Sequence, residues 1–194
     1  RSFIKIGAMR DGTLVAADIR LEYEAGAYPG SPVPGGARCA LGPYLVPNQR
    51  IVGFDVVLNR PKTAAYRAPG APAAAYAVEA IMDELADMLD MDRMAIRDLN
   101  AVSEGDPRSD GATHGSVGIR EVIRATTDHP HYRAEILEPD VGRGVAMGFW
   151  QNGGGESSAY ANVHSDGTVT LVTGSVDIGG QRAALAMQFA ETMG

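Results

Sequence analysis

The 194-residue sequence contains a single cysteine, Cys39. That excludes an internal disulfide, a cysteine-rich zinc site and any iron–sulfur cluster held by this chain alone, and a reducing compartment, the cytoplasm, is the expected setting. Aromatic residues make up only 6%, so the core is expected to be aliphatic. No stretch approaches the run of about 20 apolar residues that a membrane span requires. Positive charge is scarce as well. Seventeen basic against 24 acidic residues leave a formal charge of −7, which argues against a general electrostatic grip on nucleic acid or anionic lipid. An initiating methionine and a signal or transit segment are also missing, and the first residues already alternate like a β-strand. The expectation is an internal fragment, covering 1–194, of a longer chain.

What is abundant is small: 24 glycines and 11 prolines exceed the usual combined share of about 12%. They predict tight turns and close backbone approaches, as around a bound ligand. Ile4, Ile6 and Ala8 alternate with Lys5 and Gly7, Asp11-Gly12 supplies a turn, and Ile19, Leu21 and Tyr23 alternate with charged residues, which predicts a hairpin over 3–24. Residues 25–50 carry ten glycines and prolines and read as a long irregular segment, of the kind expected to be functional or covered by a partner. A strand follows over 51–58, with Val52, Phe54, Val56 and Leu58 on one face. From Ala74 to Leu89 apolar residues recur at helical spacing, with Glu79, Asp83, Glu84 and Asp87 on the face expected to be solvated. Asp92 is placed to cap a second helix carrying Ile96 and Leu99. A helix capped by Ser116 and running through Thr126 is predicted next, then strands over 144–151, 157–164 and 168–173 with a turn at Asp166-Gly167, and a final helix over 183–193. A subdivision falls near 102–142. Without a regular strand–helix–strand rhythm the pattern predicts an α+β fold of mixed, largely antiparallel strands with packed helices.

Two segments combine glycines, a polar group and a helix start. In Thr63–Pro72 the small residues let main chain approach a ligand, and Arg67 can fork onto a phosphate or other oxyanion, or pair with a neighbouring carboxylate. In Gly174–Arg182 a glycine turn again precedes a helix, where N–H donors favour an anion, although a plain strand-to-helix turn has the same appearance. Neither a Gly-x-Gly-x-x-Gly fingerprint nor a Walker loop is present there. His129-Pro130-His131 reads as a solvated loop and not as a metal site, and no metal ligand is assigned. Trp150, Gln151 and Asn152 before Gly153-Gly154-Gly155 fit either a bend beside a pocket or a strand end.

At these two loops the sequence resembles a known family. Tyr66-Arg67-Ala68-Pro69-Gly70-Ala71-Pro72 with Ala77, Glu79, Met82-Asp83, Leu85-Ala86, Leu89, Asp92, Arg97 and Asn100, then Gly142–Ala146, Asp166–Val169 and Thr173–Gly179, is similar to the molybdopterin-binding large subunits of the xanthine dehydrogenase, aldehyde oxidase and carbon monoxide dehydrogenase family. The resemblance extends over essentially the whole chain. It implies a molybdenum–molybdopterin cofactor, in a dinucleotide form, that inserts water-derived oxygen into a C–H bond of an aldehyde or N-heterocycle. FAD and iron–sulfur clusters would lie on partners, a medium and a small subunit, in a dimer of such assemblies. Arg67 would act catalytically beside the metal, Ala68 would line the cofactor site, and Gly179, Gly180, Gln181 and Arg182 would hold the pterin or its phosphate. Ala68 stands where the carbon monoxide dehydrogenases have a copper-binding cysteine, which disfavours carbon monoxide oxidation. Gly179-Gly180-Gln181-Arg182 departs from the family's Gly-Gln-Gly, and a gapless match of the following helix puts the family's glutamine at Gly179. The family's upstream glycine-rich loop and its C-terminal glutamate base have no counterpart in these residues, so the fragment alone is expected to be inactive. The competing expectation is a non-catalytic binding or assembly module that keeps the fold without the cofactor.

Overall fold

The computed structural model describes residues 1–150 and 155–194. By contacts the chain divides into two units, Arg1–Gln151 and Asn152–Gly194. In the first, β1 (Ser2–Ala8) and β2 (Leu14–Gly26) form the expected hairpin. The Asp11 carboxylate accepts the Thr13 N–H at 3.0 Å and closes the turn. The strands run antiparallel with Ile4 opposite Ile19. Alternate residues of β2, from Ile19 through Leu21 and Tyr23 to Ala25, are buried. A helix, α1 (Val33–Cys39), then crosses to β3 (Asn48–Val57), which lies parallel to β2 with Ile51 beside Ile19.

The helix of the Ala74–Leu89 pattern is α2 (Ala71–Leu89), with Pro72 in its first turn. Asp92 caps α3 (Arg93–Asn100) as expected, accepting from Met94 N at 2.9 Å and Ala95 N at 2.8 Å. Two further helices, α4 (Ile119–Asp128) and α5 (Pro130–Arg133), follow. The core joins Leu14, Ile19, Leu21 and Tyr23 of β2 to Val33, Leu41 and Val46 of the crossover and to Ala74, Val78 and Met82 of α2. It is mostly aliphatic, as the composition implied. Asn100 ties the hairpin to α3: its side-chain oxygen accepts from Leu14 N at 2.8 Å, and its amide donates to Gly12 O at 2.9 Å. In the second unit β4 (Ala159–Val163) and β5 (Val169–Thr173) pair antiparallel, and α6 (Gln181–Met193) follows. The fold is thus mixed α+β with small sheets. Among the described residues no helix is long and apolar enough to cross a membrane.

Several expectations change. The 25–50 segment is not irregular throughout. It holds α1 and the start of β3, and Val33, Gly36, Cys39, Leu41, Tyr44 and Val46 are buried in the unit's own core. Its glycines and prolines masked the helix because they serve close packing and not loop geometry. Val52, Phe54 and Val56 do share a face, but the outer one: Arg20 stacks 4.8 Å from the centre of the exposed Phe54 ring, whereas Ile51 packs on the core. Leu58 lies beyond the strand. The helix expected from Ser116 starts only at Ile119 and has no side-chain cap, and the final helix starts two residues early, at Gln181. The described part of the expected 144–151 strand has no ladder partner, although Val145, Met147 and Phe149 alternate inward as a strand would. Gln151 to Gly154, with the bend proposed there, lie outside the described residues.

Glu79 was expected in solvent and is buried. Its carboxylate accepts from Tyr44 Oη, from Arg97 Nε at 2.9 Å and from Met147 N at 2.8 Å. Arg97, fully buried, also donates to Asp83 at 2.8 Å and to Arg93 O at 2.9 Å. Burial, then the neighbouring Glu79 carboxylate, pushes the Tyr44 phenol far above its ordinary range, so it stays a neutral donor. Burial alone would lower the Arg97 pKa, but Glu79 and its other partners hold it above the usual value.

Candidate active site

The Arg67 loop is fastened at both ends and open between. At its start Thr63 donates through N to Ala25 O at 3.0 Å and through Oγ1 to the same oxygen at 3.1 Å. At its end Gly70, in the left-handed region with φ 84°, leads into α2, and the Tyr23 hydroxyl donates to its carbonyl at 3.3 Å. Between these points Tyr66 and Arg67 stand exposed over a cleft of about 510 Å³, which is also lined by Tyr23, Glu24, Thr63, Ala68 and Gly70.

Arg67 has no carboxylate partner among the described residues, so the ion pair that would have made it a surface residue is not formed. Ala68 beside it adopts φ 54°, one of two non-glycine residues at positive φ among the described residues. That conformation costs a residue with a Cβ about 1–2 kcal/mol, and such strain collects at ligand-binding sites. The first turn of α2 follows directly, without a side-chain cap and with no acidic residue in it. At that start the Ala71 N–H donates to Ala68 O at 3.1 Å, the Ala74 N–H to Gly70 O at 3.2 Å, and Pro72 has no N–H, so the Arg67 guanidinium, without a carboxylate partner among the described residues, is the group of this loop suited to an oxyanion. The residues of this loop therefore fit an anionic or oxo-bearing group.

The second loop lies in the other unit. Gly179 and Gly180 both have positive φ, at 130° and 84°. The Asp177 carboxylate accepts from Gly179 N at 2.8 Å and from Gln181 N at 3.2 Å, and those backbone donors hold its pKa below the ordinary value. The Gln181 side-chain oxygen accepts from Ile178 N at 3.3 Å. Arg182 is almost wholly exposed, with its Nε 3.9 Å from Asp177. The start of α6 is thus met by the chain's own carboxylate, which sequence spacing had not suggested. Arg182, at the outer limit of ion-pair distance from that carboxylate, is the exposed cation of this loop. The His129 and His131 pair belongs to α5, where the His129 ring accepts from His131 N at 3.1 Å. Among the described residues no three His, Cys, Asp or Glu side chains gather as a metal-holding group.

Comparison with known proteins agrees with the sequence resemblance. Residues 1–101 match the family described as the molybdopterin cofactor-binding domain. An aldehyde oxidoreductase of Megalodesulfovibrio gigas is 30% identical over 190 residues, 91% of this chain and 21% of the relative. The nicotinate dehydrogenase large molybdopterin subunit of Eubacterium barkeri is 36% identical over 124 residues, 61% of this chain and 29% of the relative. The solved aldehyde oxidoreductase of Desulfovibrio desulfuricans superposes with a TM-score of 0.73 at 29% identity, over 88% of this chain and 20% of that one. The chain spans less than a third of the length of these relatives. With the family match covering just over half of the chain and including the Arg67 loop, the protein belongs to the molybdopterin cofactor-binding domain family.

Proposed function

We propose that the chain is part of the large subunit of a molybdenum hydroxylase that oxidises an aldehyde or an N-heterocycle with water-derived oxygen. The observation that carries this reading is the exposed Arg67 guanidinium, without a carboxylate partner among the described residues, lining a cleft beside the start of α2 within residues that match the cofactor-binding family. The molybdenum–molybdopterin group, in a dinucleotide form, supplies the oxygen transfer and accepts the electrons when bound. Arg67 donates hydrogen bonds to substrate oxygen or to charge that develops on it, and so lowers the barrier more than it tightens binding. Ala68, whose main chain is held beside Arg67, lines the same cleft. Gly179, Gly180 and Gln181 form the turn, with its amides held by Asp177, from which Arg182 presents one exposed cation to the pterin or its phosphate.

Iron–sulfur and FAD groups, which would take up the electrons, would lie on a small and a medium partner subunit, in a dimeric assembly in the cytoplasm. The general base belongs to residues outside 1–194, which is why this piece alone does not turn over substrate. Arg67→Ala in the full-length subunit is expected to lower kcat by about 10²–10³-fold, the size seen on loss of a charge-stabilising donor, with molybdenum content unchanged. Metal analysis that finds no molybdenum in the full-length protein overturns the reading.

A second reading, a binding or assembly module without cofactor, draws support from Asp177, whose carboxylate holds the α6 amides that an anion would use. The same metal analysis separates the two.

A further inference from the structure

The loop carrying Arg67 packs on α1, the helix hidden in the glycine-rich segment, and the contact is backbone against backbone. A Cβ on Gly35 would overlap the Pro69 carbonyl oxygen. One on Gly36 would come within 2.9 Å of the Tyr23 ring and 3.1 Å of Gly70 O, and one on Gly70 within 2.7 Å of Gly36 N. The Tyr23 hydroxyl adds its bond to Gly70 O on the strand side. Pro69 and Gly70 are therefore gripped from two directions, and Thr63 is pinned to Ala25 at the other end. What lies between must span a set distance, and within that span Ala68 takes its unfavourable left-handed turn. A relaxed Ala68, at negative φ, would carry Arg67 to another bearing.

We infer that Gly35, Gly36 and Tyr23 are positioning residues for Arg67: the α1 contact holds Pro69-Gly70 so that Ala68 stays left-handed and the guanidinium stays over the cleft. The grip acts on geometry and not on charge, because Gly35, Gly36 and Tyr23 carry none and meet the backbone of Pro69 and Gly70. This rests on the role assigned to Arg67 above. Releasing the grip lets the strained Ala68 relax. Replacing Ala68 by glycine, to which positive φ costs little, makes the productive turn accessible again without the grip.

The test uses the full-length molybdenum-loaded subunit and reads kcat, KM, metal content and hydrogen exchange of the 64–70 backbone. Gly35→Ala is expected to lower kcat by about 10- to 100-fold, as a misplaced catalytic group does. KM should stay within about twofold of the parent, with molybdenum retained and exchange at 64–70 accelerated. Adding Ala68→Gly should recover a substantial part of kcat, which repair of a merely unstable fold would not do. Gly42→Ala serves as the control for crowding, since its methyl would meet the Phe149 ring instead of the loop. It should lower thermal stability and leave kcat and the 64–70 exchange alone. Should Gly35→Ala fail to fold, Tyr23→Phe removes one hydroxyl only and is expected to show the same pattern at smaller size.

Unchanged exchange and kcat in both Gly35→Ala and Tyr23→Phe overturns the proposal. So does an equal loss of kcat in Gly42→Ala, or no recovery with Ala68→Gly. If Arg67→Ala keeps full kcat while Gly35→Ala still accelerates exchange at 64–70, the role of Arg67 falls and the grip on the loop stands.

Discussion

Glu79 sits three residues after Tyr76, the exposed side of α2, yet it faces inward, and what holds it there is a full set of donors from three separate segments. Tyr44, Arg97 and Met147 N each approach its carboxylate. A buried carboxylate is tolerated only with such partners, and removal of one partner of a buried pair costs about 3–5 kcal/mol because the other charge is stranded. Glu79→Ala is therefore expected to destabilise the first unit by about that amount, read as a fall in the denaturation midpoint. A paired replacement, Glu79→Leu with Arg97→Met, should lose much less than the single changes summed. Periodicity puts Glu79 with Asp83 and Asp87 on a polar stripe, and from the stripe alone all of them look solvated. Only the arrival of Arg97 from α3 and of Met147 from downstream marks the difference, and neither arrival is written in local spacing. The lack of a carboxylate beside Arg67 among the described residues has the same character: its motif is readable, but whether a carboxylate stands beside it depends on chain folded back from elsewhere.

Among the elements, α1 and α6 show how a helix start takes its meaning from its surroundings. Val33–Cys39 contains Pro34, Gly35 and Gly36, a composition that reads as loop because glycine and proline weaken an isolated helix. It forms because the parallel return of β3 beside β2 needs a crossover, and because its glycines let it settle against Pro69 and Gly70. At α6 the glycine turn suggested an anion site, and the turn is indeed there, but Asp177 satisfies its amides. Those amides hold the folded Asp177 pKa below its unfolded value of 3.8. The sign follows: this stabilisation is complete above pH 3.8 and is lost as the pH falls through the lower folded value. The start of α6 is expected to fray in acid, and Asp177→Ala, which removes the acceptor, to fray at neutral pH. Amide shifts of Gly179 and Gln181 followed through a pH titration check both.

For the molecule as a whole, the two units differ in how much they bury. The first has a continuous core under β2 and α2, with Ile19, Leu21, Ala74, Met82, Ala86 and Ile96 at or below 1% exposure. In the second every residue of β4 is exposed, α6 buries none, and Val163, Val172, Val176 and Met187 are more than half exposed. Local stability follows buried apolar contact. Hydrogen exchange of the 194-residue chain is thus expected to show protected amides in β2 and α2 and rapid exchange throughout β4, β5 and α6. Comparable protection in both units would contradict this account of where the stability resides. The hairpin at Asp11-Gly12, the length of α2, the Asp92 cap and the family signature around Arg67 are determined by the sequence alone, because each depends on residues close together in the chain: a turn dipeptide, a 3.6-residue period, a side chain reaching its own backbone. The burial of Glu79, the existence of α1, the surroundings of Arg67 and the left-handed Ala68 were decided only by tertiary structure, because each depends on where a distant carbonyl, carboxylate or backbone comes to rest.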